Sequence, residues 1–139
     1  MTLKKEDRNA IVLIRIERAK KTMSDVYEYT KLGHWRTAAN RLYYACYYAA
    51  SALLVKNGFT TRTHSGVITQ LGLHFVKEGL ISREQGHFFK ELFDLRQDGD
   101  YDDLFDINEQ DVIPFVEPAE KFIQDIENLI TQKHKDMPT

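Results

Sequence analysis

The sequence predicts an all-α fold, an antiparallel up-and-down bundle of four or five helices. Three observations carry this. Apolar residues recur at steps of three and four along most of the chain. No segment sustains the in–out alternation of a strand. Glycines and cap residues separate the periodic segments, and the short connections they leave suit antiparallel neighbours. A length of 139 residues, 42% of them hydrophobic, suits one domain, expected over residues 1–132. The tail 133–139, KHKDMPT, is expected to fray. Three prolines and seven glycines are too few for the many turns of a β-sandwich.

Residues 4–32 read as the first helix. Ala10, Leu13, Ile14, Ile16 or Glu17, Met23 or Lys20, Tyr27 and Leu32 are its expected periodic side, and Gly33 caps it. Its other face holds Arg8, Arg15, Arg18, Lys20 and Lys21. That basic face is either simply solvated or in contact with phosphates.

The most apolar stretch, Ala38 to Leu54 (AANRLYYACYYAASALL), belongs to a helix running from about Trp35 to Asn57 and ended by Gly58. Trp35, Ala39, Leu42, Cys46, Ala49 and Leu53 form one stripe, with Ala38, Ala45, Ala49 and Ala52 beside it. A helix apolar over most of its circumference is central to a bundle. Asn40, Arg41 and Ser51 interrupt it.

A third helix is expected from Thr63 or His64 to Lys77, with Val67, Ile68, Leu71 and Phe75 inward. Gly66 and Gly72 weaken its regularity by about 1 kcal/mol each relative to alanine, and Gly79 ends it. Ser82 and Gln85 form a capping-box pattern at the start of the fourth helix. That helix carries Phe88, Phe89, Leu92, Phe93 and Leu95 and closes at Arg96. The segment 97–108, QDGDYDDLFDIN, reads as a polar loop. Asn108 caps the last helix, whose core side is Val112, Phe115, Val116, Ala119, Phe122, Ile123, Ile126, Leu129 and Ile130. Pro114 and Pro118 are expected to kink or restart it.

The net charge of −2 gives no overall bias towards nucleic acid, but the charge is segregated. Residues 1–36 hold nine basic and five acidic groups; residues 91–127 hold two and thirteen. Such segregation orients contact with a partner or a second copy. The single cysteine, Cys46, excludes an intrachain disulfide and reads as a small buried hydrophobe. No apolar run is long enough for a membrane span, and no signal-peptide core is visible. A cytoplasmic location is the default expectation.

Three constellations bear on chemistry. Asp98, Asp100, Asp102, Asp106 and Glu109 stand at positions 1, 3, 5, 9 and 12 of a twelve-residue window, the ligand spacing of an EF-hand. The sixth position is Asp103 rather than the glycine that makes the sharp turn. The alternatives are a calcium loop and an acidic loop with a capping turn. The five histidines, His34, His64, His74, His87 and His134, show no metal-ligand spacing, and no cofactor motif is present. Arg96 either pairs with Asp98 or Asp100 at a helix end or faces a groove as a phosphate ligand. Tyr101 lies five residues beyond it.

The segments RLYYACYYAASALL, THSGVI, FVKEGL and LRQDGDYD, in that order and spacing, resemble small stand-alone HEPN-domain proteins, from about residue 8 to 130. The resemblance implies an all-α bundle, a homodimer and a prokaryotic setting. It also implies a neighbouring nucleotidyltransferase acting as antitoxin to a HEPN toxin. Active members resemble one another in an arginine followed, after four to six residues, by a histidine. Two such motifs form a metal-independent cleft that cleaves RNA through the ribose 2′-OH. Here Arg96 matches the arginine, and Tyr101 stands where the histidine is expected. A phenol is a poor general base at pH 7 but can donate a proton. Asp98 and Asp100 would repel an RNA phosphate.

The family's polar position on the second helix matches Asn40. Tyr44 and Tyr47 continue its face, and His64 is a candidate for the same groove. The expected site is therefore Arg96 and Tyr101 in catalysis, with Asn40, Tyr44, His64, Arg96 and Asp100 binding ligand. No metal or cofactor is expected. Three readings remain open: a module binding nucleotide, RNA or its partner; a ribonuclease toxin using Arg96 with Tyr101 or His64; and a substrate whose Tyr101 hydroxyl accepts a nucleotide. The first and second share one geometric expectation, that Asn40 and Arg96 are neighbours across two packed helices.

Overall fold

The computed structural model of the chain describes residues 4–101 and 106–132, the side chain of Tyr101 excepted. The calls that fall on His134 and on the tail 133–139 lie outside the described residues. Five α-helices follow one another: α1 (Lys5–Lys31), α2 (Trp35–Lys56), α3 (His64–Leu71), α4 (Arg83–Tyr101) and α5 (Glu109–Thr131). A π-helical turn, Gly72–Val76, continues α3. No strand occurs among the described residues. The all-α bundle expected from the sequence is the fold.

α2 packs against each of the other four helices, and its alanines explain how. Ala38, Ala39, Ala45, Ala49 and Ala52 have no exposed surface, so neighbouring backbones approach where a larger side chain would hold them off. Cross-helix contacts fix the directions. Arg15 reaches Ser51 and Arg18 reaches Tyr48, while Lys20 reaches Glu127 and Tyr27 reaches Glu120, so α1 runs antiparallel to α2 and to α5. Phe89 lies between Tyr43 of α2 and Phe122 of α5, with ring centroids 5.8 and 5.3 Å away.

The glycine stops are where the sequence puts them. Gly33, Gly58 and Gly79 have φ of 73°, 83° and 78°, a left-handed conformation that closes a helix without the Cβ penalty other residues carry. Thr63 Oγ1 accepts from Gly66 N at 2.9 Å and Ser82 Oγ from Gln85 N at 3.0 Å, capping α3 and α4. The reciprocal half of the Ser82 box is replaced, because the Gln85 amide donates across the bundle to Asp125 at 2.8 Å. At α5 the Asp111 carboxylate accepts from Asn108 N at 3.0 Å.

Three expectations need correction. On α1 the buried residues are Val12, Ile16, Ala19, Thr22, Met23 and Val26, whereas Ala10, Leu13, Ile14, Tyr27 and Leu32 are exposed. Two apolar stripes one residue out of phase share this helix, and tertiary partners choose between them. Pro114 and Pro118 do not interrupt α5. Each removes one backbone donor, but Val112, Ala119, Phe122 and Ile123 around them are buried and hold the helix in place.

The third correction positions the site. α4 does not stop at Arg96 but continues to Tyr101, so Asp98 and Asp100 lie on a helix and cannot serve as the opening ligands of an EF-hand loop. Local preference does not favour this extension. Carboxylates at a helix C-terminus oppose the macrodipole. Tertiary contacts supply the difference: Asp100 is held from α2, and the buried Gly99 lies against Ile107. A Cβ at Gly99 would stand 2.3 Å from Ile107 Cδ1 and 3.3 Å from Cγ1, so a larger residue there requires the Ile107 side chain to shift.

Candidate functional site

The polar end of α2 meets the last turns of α4. Asn40 Nδ2 donates to Asp100 Oδ2 at 3.1 Å, and Arg96 Nε lies 3.0 Å from the same oxygen. Asn40 and Arg96 therefore meet on one carboxylate atom. The helical spacing explains why Arg96 and Asp100 are four residues apart: that step places them on one face. Asn40 Oδ1 accepts from Arg41 Nε at 3.0 Å and Nη2 at 2.7 Å. Arg96 Nη2 donates to the Tyr44 hydroxyl at 2.9 Å.

The circuit closes on Tyr44. The guanidinium carbons of Arg41 and Arg96 each lie 5.2 Å from its ring centroid, within the range of cation–π attraction. Arg96 is also 5.6 Å from the Tyr43 ring. Its side chain is only 11% exposed; a guanidinium so enclosed is held in place by its carboxylate and aromatic partners. Two cations and one paired carboxylate thus surround one tyrosine.

His64, at the start of α3, forms the adjoining wall. Its Nδ1 is hydrogen-bonded to the Tyr43 hydroxyl at 2.7 Å. Its ring lies 4.5 Å from Tyr47 and 5.7 Å from Tyr44, centroid to centroid. Burial lowers its pKa below the ordinary histidine value, and the positive charge of Arg96 lowers it further. The imidazole is therefore neutral at pH 7 and able to accept a proton. Burial raises the Tyr43 phenol well above its usual range, so that hydroxyl stays protonated. Cys46, fully buried and raised likewise by burial, is an inert core thiol.

Asn40, Tyr44, His64, Arg96 and Asp100 are thus brought together by α2, α3 and α4. The Tyr101 side chain lies outside the described residues. Asp98 is exposed. The remaining described histidines are elsewhere: His74 stacks on Phe59 at 3.9 Å, His87 pairs with Glu91 at 2.7 Å, and His34 lies beside Tyr29. Two participants were not among the expected site residues. Arg41 reads in the sequence as a break in polarity; its three-residue step to Tyr44 was the available signal. Tyr43 lies on neither of the apolar stripes named for this helix; it is buried, and its hydroxyl is bonded to His64. Among the described residues no three His, Cys, Asp or Glu side chains form a metal-binding group, and no helix is long and apolar enough to cross a membrane.

Comparison with known proteins gives consistent matches. A family model described as HEPN domain matches residues 12–129. A "UPF0332 protein" of Thermotoga maritima is 37% identical over 113 residues, covering 81% of this chain and 86% of the relative. A protein of Methanocaldococcus jannaschii named "Putative toxin MJ0605" is 39% identical over 67 residues, 48% of this chain and 50% of its own. A second from that organism, "Putative toxin MJ0142", is 24% identical over 119 residues, 86% of this chain and 81% of its own.

Proposed function

The chain belongs to the HEPN domain family, and from that premise we propose that it is the toxin-side member of a toxin–antitoxin-type pair. In this reading it acts as a homodimer, its antitoxin is a nucleotidyltransferase, and it binds RNA or a nucleotide at the cup of Asn40, Arg41, Tyr44, His64, Arg96 and Asp100. One observation carries the binding role: Arg41 and Arg96 flank the same Tyr44 ring at 5.2 Å each. An aromatic face between two guanidiniums suits a base or ribose lying beside its phosphate. Asp100 does not defeat this, because its charge is already engaged by Arg96 and Asn40. The toxin names of the Methanocaldococcus relatives support the setting.

Binding of a labelled single-stranded RNA by fluorescence anisotropy tests the reading. Arg96→Ala is expected to weaken it about ten- to hundredfold, the value of one charge-assisted contact. Undiminished binding by a folded variant would remove the site. Light scattering tests the homodimer, and a monomer at micromolar concentration counts against it. Co-purification with the neighbouring nucleotidyltransferase tests the pairing.

A second reading, RNA cleavage, has its own support in the neutral His64 next to Arg96. His64 would take the proton of a ribose 2′-OH as that oxygen attacks the adjacent phosphorus. The P–O5′ bond breaks, Arg96 offsets the charge on the phosphoryl oxygens, and a phenol such as Tyr101 protonates the leaving oxygen. Total RNA incubated with wild type and with Arg96→Ala separates the readings: equal outcomes from both proteins sink the enzyme, and cleavage lost with Arg96 supports it.

A further inference from the structure

The cup does not end at Tyr44. Tyr44, Tyr47 and Tyr48 lie with each pair of ring centroids 6.0 Å apart, and all three are half-exposed. Tyr47 lies against His64, 4.5 Å centroid to centroid, and the Tyr48 ring next to it faces α1 through Arg18. α1 supplies cations along the same line. The exposed Arg18 stands 5.4 Å from the Tyr48 ring centroid. Arg15 Nη1 donates to Ser51 Oγ at 3.2 Å, and its positive charge is felt at the Tyr47 hydroxyl. The Tyr47 and Tyr48 hydroxyls make no hydrogen bond among the described residues.

This is more than core packing requires. Core positions of α2, such as Leu42, Cys46 and Leu53, are essentially fully enclosed, whereas these three side chains are partly exposed. It is also more than a solvated basic helix face shows. Of the five cations on that face, Lys20 turns away to pair with Glu127, while Arg15 and Arg18 turn to the tyrosines and the serine beside them.

We propose that Tyr47, Tyr48, Arg15 and Arg18 form a second subsite, a track for the unpaired nucleotides of an RNA strand that extend beyond the Tyr44 cup. The inference rests on the RNA-binding reading given above and adds to it the substrate class: single-stranded RNA longer than the cup holds, not a free mononucleotide. Successive rings offer π-faces on which bases stack without regard to sequence, and the guanidiniums follow the phosphates on one side. Asp100, the carboxylate of the cup, is already bound, and among the described residues neither Arg15 nor Arg18 forms an ion pair.

The test uses labelled oligouridylates of three and ten nucleotides with the full chain, in wild type, Arg18→Glu, Tyr48→Ala and Arg96→Ala. Thermal melting accompanies each variant; Arg18→Glu, at an exposed position, keeps the test intact where Tyr48→Ala fails to fold. The 10-mer is expected to bind wild type more tightly than the 3-mer. Arg18→Glu is expected to weaken the 10-mer about tenfold and leave the 3-mer unchanged. It should also flatten the salt dependence of 10-mer binding by about one ionic contact. Arg96→Ala should weaken both oligomers.

Loss of neither oligomer on Arg18→Glu, or equal loss of both, overturns the track while the cup stands. Loss of the 10-mer with Arg18→Glu but not with Arg96→Ala overturns the cup while the track stands. Binding of neither oligomer by wild type overturns both. Conversion of a dimer to a monomer by Arg18→Glu assigns the surface to a second copy of the chain and overturns the track.

Discussion

Two regions of this molecule use the same ingredients, aromatic rings and charges, to opposite electrostatic effect. One is the cup between α2, α3 and α4. The other is a broad groove between α1, the start of α4 and α5, floored by Met23, Phe88 and Ile123. The charged rim of the groove is mostly carboxylate. Glu127 is paired with Lys20 at 2.6 Å and Asp125 with Lys121 at 2.9 Å, and Glu84, Glu117 and Glu120 add to them. The difference shows in two phenols. Tyr44 accepts from a guanidinium, whereas Tyr27 donates to Glu120, and burial together with that carboxylate raises its pKa to about 12. The sign of the charge beside the aromatic favours the cup over the groove for an anion.

The largest expected effect comes from breaking what the two regions share. Phe89 stacks between Tyr43 and Phe122, so Phe89→Ala should cost about 3–5 kcal/mol of stability, measured by urea denaturation. If the loss is much smaller, the two regions are not supported by a common core. Next, Arg96→Ala should cost RNA affinity about ten- to hundredfold, with no comparable loss from substitutions in the groove. Gly99→Ala comes third. Overpacking against Ile107 should cost about 1–3 kcal/mol and weaken the cup by displacing Asp100. An alanine variant as stable as wild type would show that Ile107 moves aside freely.

A smaller effect separates the regions by pH. The His64 pKa in the folded protein lies below its unfolded value of 6.5. The unfolded chain therefore takes up the proton first, and stability falls as pH drops below 6.5. The loss is complete once pH is below the folded value, and above 6.5 the group contributes nothing. His64→Gln should remove this slope in thermal melts from pH 7.5 down to about 5. The smallest effect is in the groove: Lys20→Ala should change stability by about 0–1 kcal/mol, because the lysine is largely exposed, and should leave RNA affinity unchanged.

What was legible in the sequence follows from how local each feature is. Helix starts and stops at Gly33, Gly58, Thr63, Gly79 and Ser82 depend on residues within one turn, and they are where the sequence puts them. The centrality of α2 follows from its alanines. The buried side of α1 was not legible, because Val12–Ile16 and Leu13–Ile14 offer competing stripes. The end of α4 was misread for the same reason. Asp98 and Asp100 argue locally for a loop, and only Asn40, 60 residues away, together with Ile107, makes the last turn helical. Motif resemblance brought Asn40, Arg96 and His64 forward as candidates; the role of Arg41 as the second cation required the coordinates.

The cup is built from distant parts of the chain. Arg96 reaches Tyr44 across 52 residues and Asn40 reaches Asp100 across 60. During synthesis at about 5–20 residues per second, the α2 half waits about 3–12 s for the α4 half. A nascent chain that has made α1 to α3 carries Arg41 and its tyrosines but neither the second cation nor the carboxylate that orients Asn40. The growing polypeptide on its ribosome is thus without an assembled anion site, which is completed only after the last turn of α4 has been translated.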